Sequence, residues 1–125
     1  MQTVSLAGMT CVGYVRVSTA EQAAGKQTSL ADQRAAITEL AARLGVAIGY
    51  VFEDAGVSGA TMEFRPGMRG LIESCEASSR ASTRPGLVLV LNDSRWGRFP
   101  NSEEATYWRF RLEKCGWLLR FAELD

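Results

Sequence analysis

The spacing of apolar and polar positions changes period along the chain, and each change marks an element. After Cys11-Val12-Gly13, residues Tyr14 to Ser18 alternate as a short strand. The two-residue period sets Tyr14, Arg16 and Ser18 on one face, with Val15 and Val17 on the other. Residues 19–28, TAEQAAGKQT, are small and polar, which predicts a loop or a frayed first turn. A helix then starts near Ser29, where Ser29-Leu30-Ala31-Asp32 has the form of a capping box with Asp in place of the usual Glu. Its apolar stripe is Leu30, Ile37, Leu40, Ala41 and Leu44, and Gly45 ends it. Gln33 falls within that stripe. An amide on the core side of a helix needs a partner, so Gln33 is expected to reach a site or a neighbouring backbone.

Ala47 to Glu53 predicts a second strand, followed by the loop Asp54-Ala55-Gly56-Val57-Ser58-Gly59 and then Phe64-Arg65-Pro66-Gly67. Pro66 suits the first turn of a helix that turns Met68, Leu71, Ile72 and Cys75 inward. Ser78 to Gly86 is expected to be a flexible connection. Leu87 to Leu91, LVLVL, is apolar throughout, the pattern of a parallel strand buried on both faces. It empties into a loop, Asn92-Asp93-Ser94-Arg95-Trp96-Gly97-Arg98. A helix from about Ser102 to Cys115 follows, with Ala105, Trp108, Leu112 and Cys115 inward and Gly116 at its end. Trp117 to Ala122 completes the series as a last strand. This alternation predicts an α/β sandwich on a mostly parallel sheet, with no internal repeat and no second domain.

Composition narrows the chemistry. The 125 residues fit one domain, and 46% hydrophobic with 22% charged residues is ordinary for a soluble globular protein. No apolar run approaches the roughly 20 residues of a membrane span. The start, MQTVSLAGMT, has no basic region followed by a long apolar core, so a cytoplasmic location is expected. Cys11, Cys75 and Cys115 are far apart and form no CxxC pair, which predicts reduced, buried thiols. The chain has no histidine, which removes Ser-His triads, His-ligated zinc and imidazole proton shuttles together. With 14 basic and 14 acidic residues the formal charge is zero. Affinity for nucleic acid must then come from a local cluster or from another part of the protein.

Sites in open α/β sheets form beyond the carboxyl ends of the strands. Arg16 and Ser18 follow the first strand, Asp54 and Ser58 the second, and Arg95 and Arg98 the third, while Arg65 ends the long second loop. Taken singly, each has an ordinary explanation. Ser18 could form a turn, Arg16 could pair with Asp54, Asp54 could cap, Arg95 and Arg98 could solvate a loop, and Tyr14 could be half-buried packing. Trp96, Trp108 and Trp117 are expected as core or edge anchors. Those readings leave the shared sheet edge unexplained. Clustered guanidiniums call for an anion, and their planar forks suit phosphate. With no GxxxxGK[ST] or GxGxxG loop to cradle a nucleotide, the remaining combination is phosphoryl transfer in which arginines hold the phosphate and a serine attacks it.

The motifs Tyr14-Val15-Arg16-Val17-Ser18-Thr19, Gln22, Ser29-Leu30-Ala31-Asp32-Gln33, Asp54-Ala55-Gly56-Val57-Ser58-Gly59, Arg65-Pro66-Gly67 and Ser94-Arg95-Trp96-Gly97-Arg98 resemble the catalytic domain of serine site-specific recombinases, the resolvase/invertase family. The resemblance runs from about Gly13 onward, and the Asp-x-Gly-x-Ser-Gly and Arg-Pro-Gly forms are most similar to the large serine recombinases. It implies a three-layer sandwich on a four- to five-stranded sheet of flavodoxin-like order, with residues 1–125 as the catalytic domain. It further implies that Ser18 attacks a DNA phosphodiester to give a 5′-phosphoserine link and a free 3′ hydroxyl. Arg16, Arg95, Arg98 and Arg65 would bind the phosphate, Asp54 would position the arginines, and Tyr14, Gln22, Gln33 and Ser58 would support the site. The proton acceptor stays open between an arginine and Asp54. No metal, ATP or other cofactor is implied. The implied partners are site-specific DNA, met through the full-length protein, and further copies in a dimer and a synaptic tetramer, with no membrane. The dimerisation helix and DNA-binding domain of the family have no counterpart in these 125 residues, so the fragment alone is expected to be inactive. Two positions depart from the family pattern: Gly86 stands where an acidic residue is frequent, and Ser94 precedes Arg95 where Asp is common. A regulatory or assembly module of the same fold is the alternative, and a small-molecule phosphotransferase would want the missing glycine loop.

Overall fold

The amino-terminal apolar segment becomes an inner strand around which the other elements are ordered. The computed structural model describes residues 8–17, 29–56, 65–81, 86–96 and 102–123. Its elements are β1 (Thr10–Val17), α1 (Leu30–Leu44), β2 (Ile48–Ala55), α2 (Pro66–Ala81), β3 (Gly86–Val90), the single turn α3 (Asp93–Trp96), α4 (Ser102–Lys114) and β4 (Leu118–Phe121). The strands form one sheet in the order β2-β1-β3-β4, and every neighbouring pair is parallel. This is the flavodoxin-like order, in which the direction of winding reverses between β1 and β3. The crevice at that reversal lies beyond Val17 and Val90.

The strand period divides the core as expected. On one face Ile37 and Ala41 of α1 pack on Cys11, Val15, Leu87 and Leu89. On the other, Met68, Leu71, Ile72 and Cys75 of α2 join Leu112 of α4 against Tyr14, Val88, Val90, Trp96 and Trp117. β3 is buried at all its positions, as its unbroken apolar run requires. At α1, Ser29 Oγ accepts the N–H of Asp32 at 3.0 Å, and Gly45 ends the helix at φ 76°, a left-handed conformation that glycine adopts without steric cost. Among the described residues no helix is long and apolar enough to cross a membrane. The cysteines are free: Cys11 and Cys75 are buried, whereas Cys115 is only partly covered.

Several boundaries differ from expectation. β1 starts at Thr10 and β2 runs through Asp54 and Ala55, because parallel pairing with Gly86 and with Arg16 and Val17 carries both strands past their apolar cores. Ser78 to Ala81, expected in a flexible connection, continue α2, with Arg80 in the last turn where a cation complements the helix dipole. Residues 93–96, expected as loop, close one helical turn. Gly86 sits in β3 where an added Cβ would lie 2.5 Å from the Trp117 ring, so the indole occupies the room a larger residue would take.

Candidate active site

β1 directs Tyr14 and Arg16 to the same side of its carboxyl end, and β2 sets Asp54 in register beside Arg16. Asp54 is buried and uses both carboxylate oxygens. Oδ1 accepts the N–H of Gly67 at 2.7 Å, while Oδ2 accepts the N–H of Met68 at 3.0 Å and the Tyr14 hydroxyl at 2.7 Å. A side chain on a neighbouring strand therefore caps α2, satisfying N–H groups that have no partner within the helix. Close approach makes this reach possible: a Cβ on Gly67 would lie 2.5 Å from the Glu53 carbonyl oxygen and 2.9 Å from Asp54 Cγ.

Arg65, the residue before α2, is fully buried. Its Nε and Nη2 donate to the Tyr14 hydroxyl oxygen at 3.3 and 3.0 Å, and Nη2 also donates to the Trp96 carbonyl. The guanidinium carbon lies 5.4 Å from the centre of the Tyr14 ring, within cation–π range. Burial pushes the Tyr14 phenol well above its ordinary range; Arg65 opposes that rise and Asp54 adds to it. The phenol thus stays protonated at neutral pH, donating to Asp54 while accepting from Arg65.

The second half of the site is built on the backbone of Arg16. Gln33, fully buried in α1, accepts the Arg16 N–H at 3.1 Å and donates to the Arg16 carbonyl at 3.0 Å. One amide side chain takes both main-chain groups as a neighbouring strand would. Arg95 of α3 donates to the same carbonyl through Nη1 at 3.3 Å. In return, Arg16 Nη2 donates to the Ser94 carbonyl at 2.8 Å. Burying guanidiniums is costly unless their donors are engaged, and here main-chain carbonyls and a phenol engage several of those donors.

Tyr14, Arg16, Gln33, Asp54, Arg65 and Arg95 are thus brought together at the sheet edge. Ser18, Gln22, Ser58 and Arg98 lie outside the described residues, as does Ala105's side chain. Tyr14 is fully buried instead of half-buried, because its hydroxyl links strand, helix and Arg65. Asp54 meets Arg65 through that hydroxyl and meets α2 directly. Arg16 and Arg95 are buried, so neither is a solvated surface cation. The carbonyls of Ser94 and Trp96 and the small size of Gly67 escaped the sequence reading. Backbone acceptors carry no residue signal, while glycine directly after Pro66 at a helix start was a legible one. Among the described residues no group of three or more His, Cys, Asp or Glu could hold a metal ion. Three guanidiniums and one carboxylate share this end of the sheet, an edge suited to an anion.

Several solved structures share this fold. The N-terminal catalytic domain of TP901-1 integrase matches with a TM-score of 0.71 and 26% identity, over 90% of this chain and 76% of that one. A resolvase family site-specific recombinase from Streptococcus pneumoniae matches with a TM-score of 0.70 and 26% identity, over 91% and 72%. For the C-terminal catalytic domain of ISC1926 TnpA, an IS607-like serine recombinase, the TM-score is 0.69 at 24% identity, over 91% and 70%, a likeness of fold. No curated protein matches the chain. The family described as "Resolvase, N terminal domain" matches residues 11–123, which takes in all of the sheet but Thr10 and every described residue of the arginine cluster; the chain belongs to that family.

Proposed function

We propose that Ser18 is the nucleophile of this domain and that Arg16, Arg65, Arg95 and Arg98 bind the phosphate it attacks. Members of the family are DNA-binding recombinases that cleave and rejoin DNA and act as oligomers, and this chain is a site-specific recombinase catalytic domain. In the cleavage step, Ser18 Oγ bonds to phosphorus, the bond from phosphorus to the 3′ oxygen breaks, the serine proton leaves, and the 3′ oxygen gains one. The phosphoserine keeps the energy of the phosphodiester, so the 3′ hydroxyl reverses the step during rejoining with nothing consumed. Guanidiniums aimed at the phosphate oxygens stabilise the charge that builds there.

One observation carries this reading: Arg16, two positions before Ser18 in the chain, interlocks with Ser94 and Arg95 across the β1/β3 reversal. Asp54 and Tyr14 support the site by holding Arg65, and Gln33 supports it by holding the backbone of Arg16. Gln22 and Ser58 are proposed as further supporting residues. The DNA partner is met as a specific site by the full-length protein, assembled as a dimer and then a synaptic tetramer.

The test is a covalent adduct. The full-length protein is incubated with a DNA site recovered by selection from a randomised library and quenched with denaturant. Wild-type protein should yield a protein–5′-DNA adduct and Ser18→Ala none. Arg95→Ala should slow its formation by roughly 100-fold or more, the size of a lost transition-state donor. An adduct formed by Ser18→Ala would sink the assignment. Absence of any wild-type adduct on a bound site would favour a regulatory module.

A further inference from the structure

The single turn α3 stands at the middle of the arginine network. Ser94 O accepts from Arg16, Arg95 donates to Arg16 O, and Trp96 O accepts from Arg65. An isolated turn is a poor structure, because forming it fixes several dihedrals in return for one hydrogen bond. Asn92 supplies the closing bonds. Its carbonyl accepts the N–H groups of Arg95 and Trp96 at 3.1 and 3.2 Å. Its side-chain Oδ1 accepts the Arg95 N–H at 3.2 Å and the Ser94 hydroxyl at 2.7 Å. Its Nδ2 donates to Glu123 Oε1 at 3.2 Å. Glu123 lies just past β4, where the N–H groups of Ala122 and Glu123 bond to the carbonyls of Val90 and Leu91 at 2.9 and 2.8 Å.

We propose that Asn92 is a positioning residue for the phosphate-binding arginines, acting as the cap of α3 and as its tether to the end of β4. It touches no reacting atom and works through Arg95 and through the carbonyls that receive Arg16 and Arg65. The proposal rests on the phosphate reading of those arginines for its functional meaning. An amide is the side chain that both tasks require. Its oxygen caps the turn as Asn, Asp and Ser do at helix starts, and its NH2 donates to the carboxylate of Glu123. Aspartate keeps the cap but turns a like charge on Glu123, and serine keeps the cap without the tether. Neither family motif nor charge pattern marks this position; the bonds around the turn do.

The experiment compares wild type, Asn92→Ala, Asn92→Ser and Asn92→Asp by NMR. It follows amide exchange at Arg95 and Trp96 and the Nε–Hε resonances of Arg16, Arg65 and Arg95, before and after addition of inorganic phosphate. Asn92→Ala should speed exchange at Arg95 and Trp96 by roughly tenfold, the size of a lost cap. It should move the Arg95 resonance towards that of free arginine and weaken its response to phosphate. Asn92→Ser should restore most of the protection as a cap without the tether, and Asn92→Asp less of it, because its charge faces Glu123. Asn92→Ala with unchanged exchange and unchanged arginine resonances would overturn the proposal. Where Asn92→Ala does not fold, Asn92→Ser decides: retained protection at Arg95 and Trp96 supports the cap, and its loss in a folded variant refutes it. Wild-type arginines that ignore phosphate overturn the phosphate reading separately, and the exchange comparison still decides whether Asn92 holds Arg95.

Discussion

Tyr14 donates its phenolic proton to Asp54 across 2.7 Å, although 40 residues separate the two in the chain. The same hydroxyl oxygen receives Arg65, so one group joins β1, β2 and the entry to α2.

Tyr14→Phe should therefore fold but lose stability. The ring fills its space, while Asp54 loses a donor and Arg65 an acceptor, both inside the core. A buried group left without its partner costs about 1–3 kcal/mol, and urea unfolding should show a loss in that range. A variant as stable as wild type would show that the hydroxyl is not what holds Arg65 and Asp54 together.

Gly67→Ala sets two effects of opposite sign against each other. Alanine favours a helix over glycine by about 1 kcal/mol. The new Cβ would overlap the backbone of Glu53, with the carbonyl oxygen 2.5 Å away. Backbone cannot swing aside as a flexible side chain can, and overpacking costs typically 1–3 kcal/mol. The overlap should win, lowering the thermal midpoint. A raised midpoint would mean that α2 can move off β2 without loss.

Gln33→Leu keeps the volume of the side chain and removes both bonds to the backbone of Arg16. Both main-chain groups are engaged by that amide, at 3.1 and 3.0 Å. The expected loss is about 2 kcal/mol or more, with faster amide exchange at Arg16 as the local signature. Unaltered exchange at Arg16 would count against its being held by Gln33.

Glu76 and Arg111 form a forked pair between α2 and α4, with Nε to Oε2 at 2.9 Å. The bond from Arg111 holds the Glu76 carboxyl below its ordinary value of 4.5. A carboxyl lowered by folding contributes stability above its unfolded value and loses it as pH falls through the folded value. Wild type should thus lose stability on acidification below about pH 4.5 more steeply than Glu76→Gln. Equal slopes for the two, from unfolding curves at successive pH values, would contradict this.

Periodicity made the sheet and its helices legible. LVLVL could only be a strand covered on both faces, and Ser29 and Gly45 bound α1 through local chemistry at both ends. Gln33 announced itself as an amide on an apolar stripe, and its partner proved to be the backbone of Arg16. What stayed hidden depends on neighbours distant in sequence. Asp54 caps a helix that begins 12 positions later, across a gap that only the small Gly67 leaves open. Tyr14 goes to full depth because Asp54 and Arg65 both meet its hydroxyl there. The turn after β3 looked like loop because four residues are too few to show a period, although Asn92 at its head is a familiar helix-start residue.

The pairing of Arg16 with Ser94 and Arg95 spans 78 and 79 residues of chain. Contacts so remote in sequence close only after the intervening segments have found their places. A nascent or clipped chain ending before β3 has one half of the clamp and no counterpart for it. On the phosphate role proposed for these arginines, the anion site is complete only once β3 has docked beside β1.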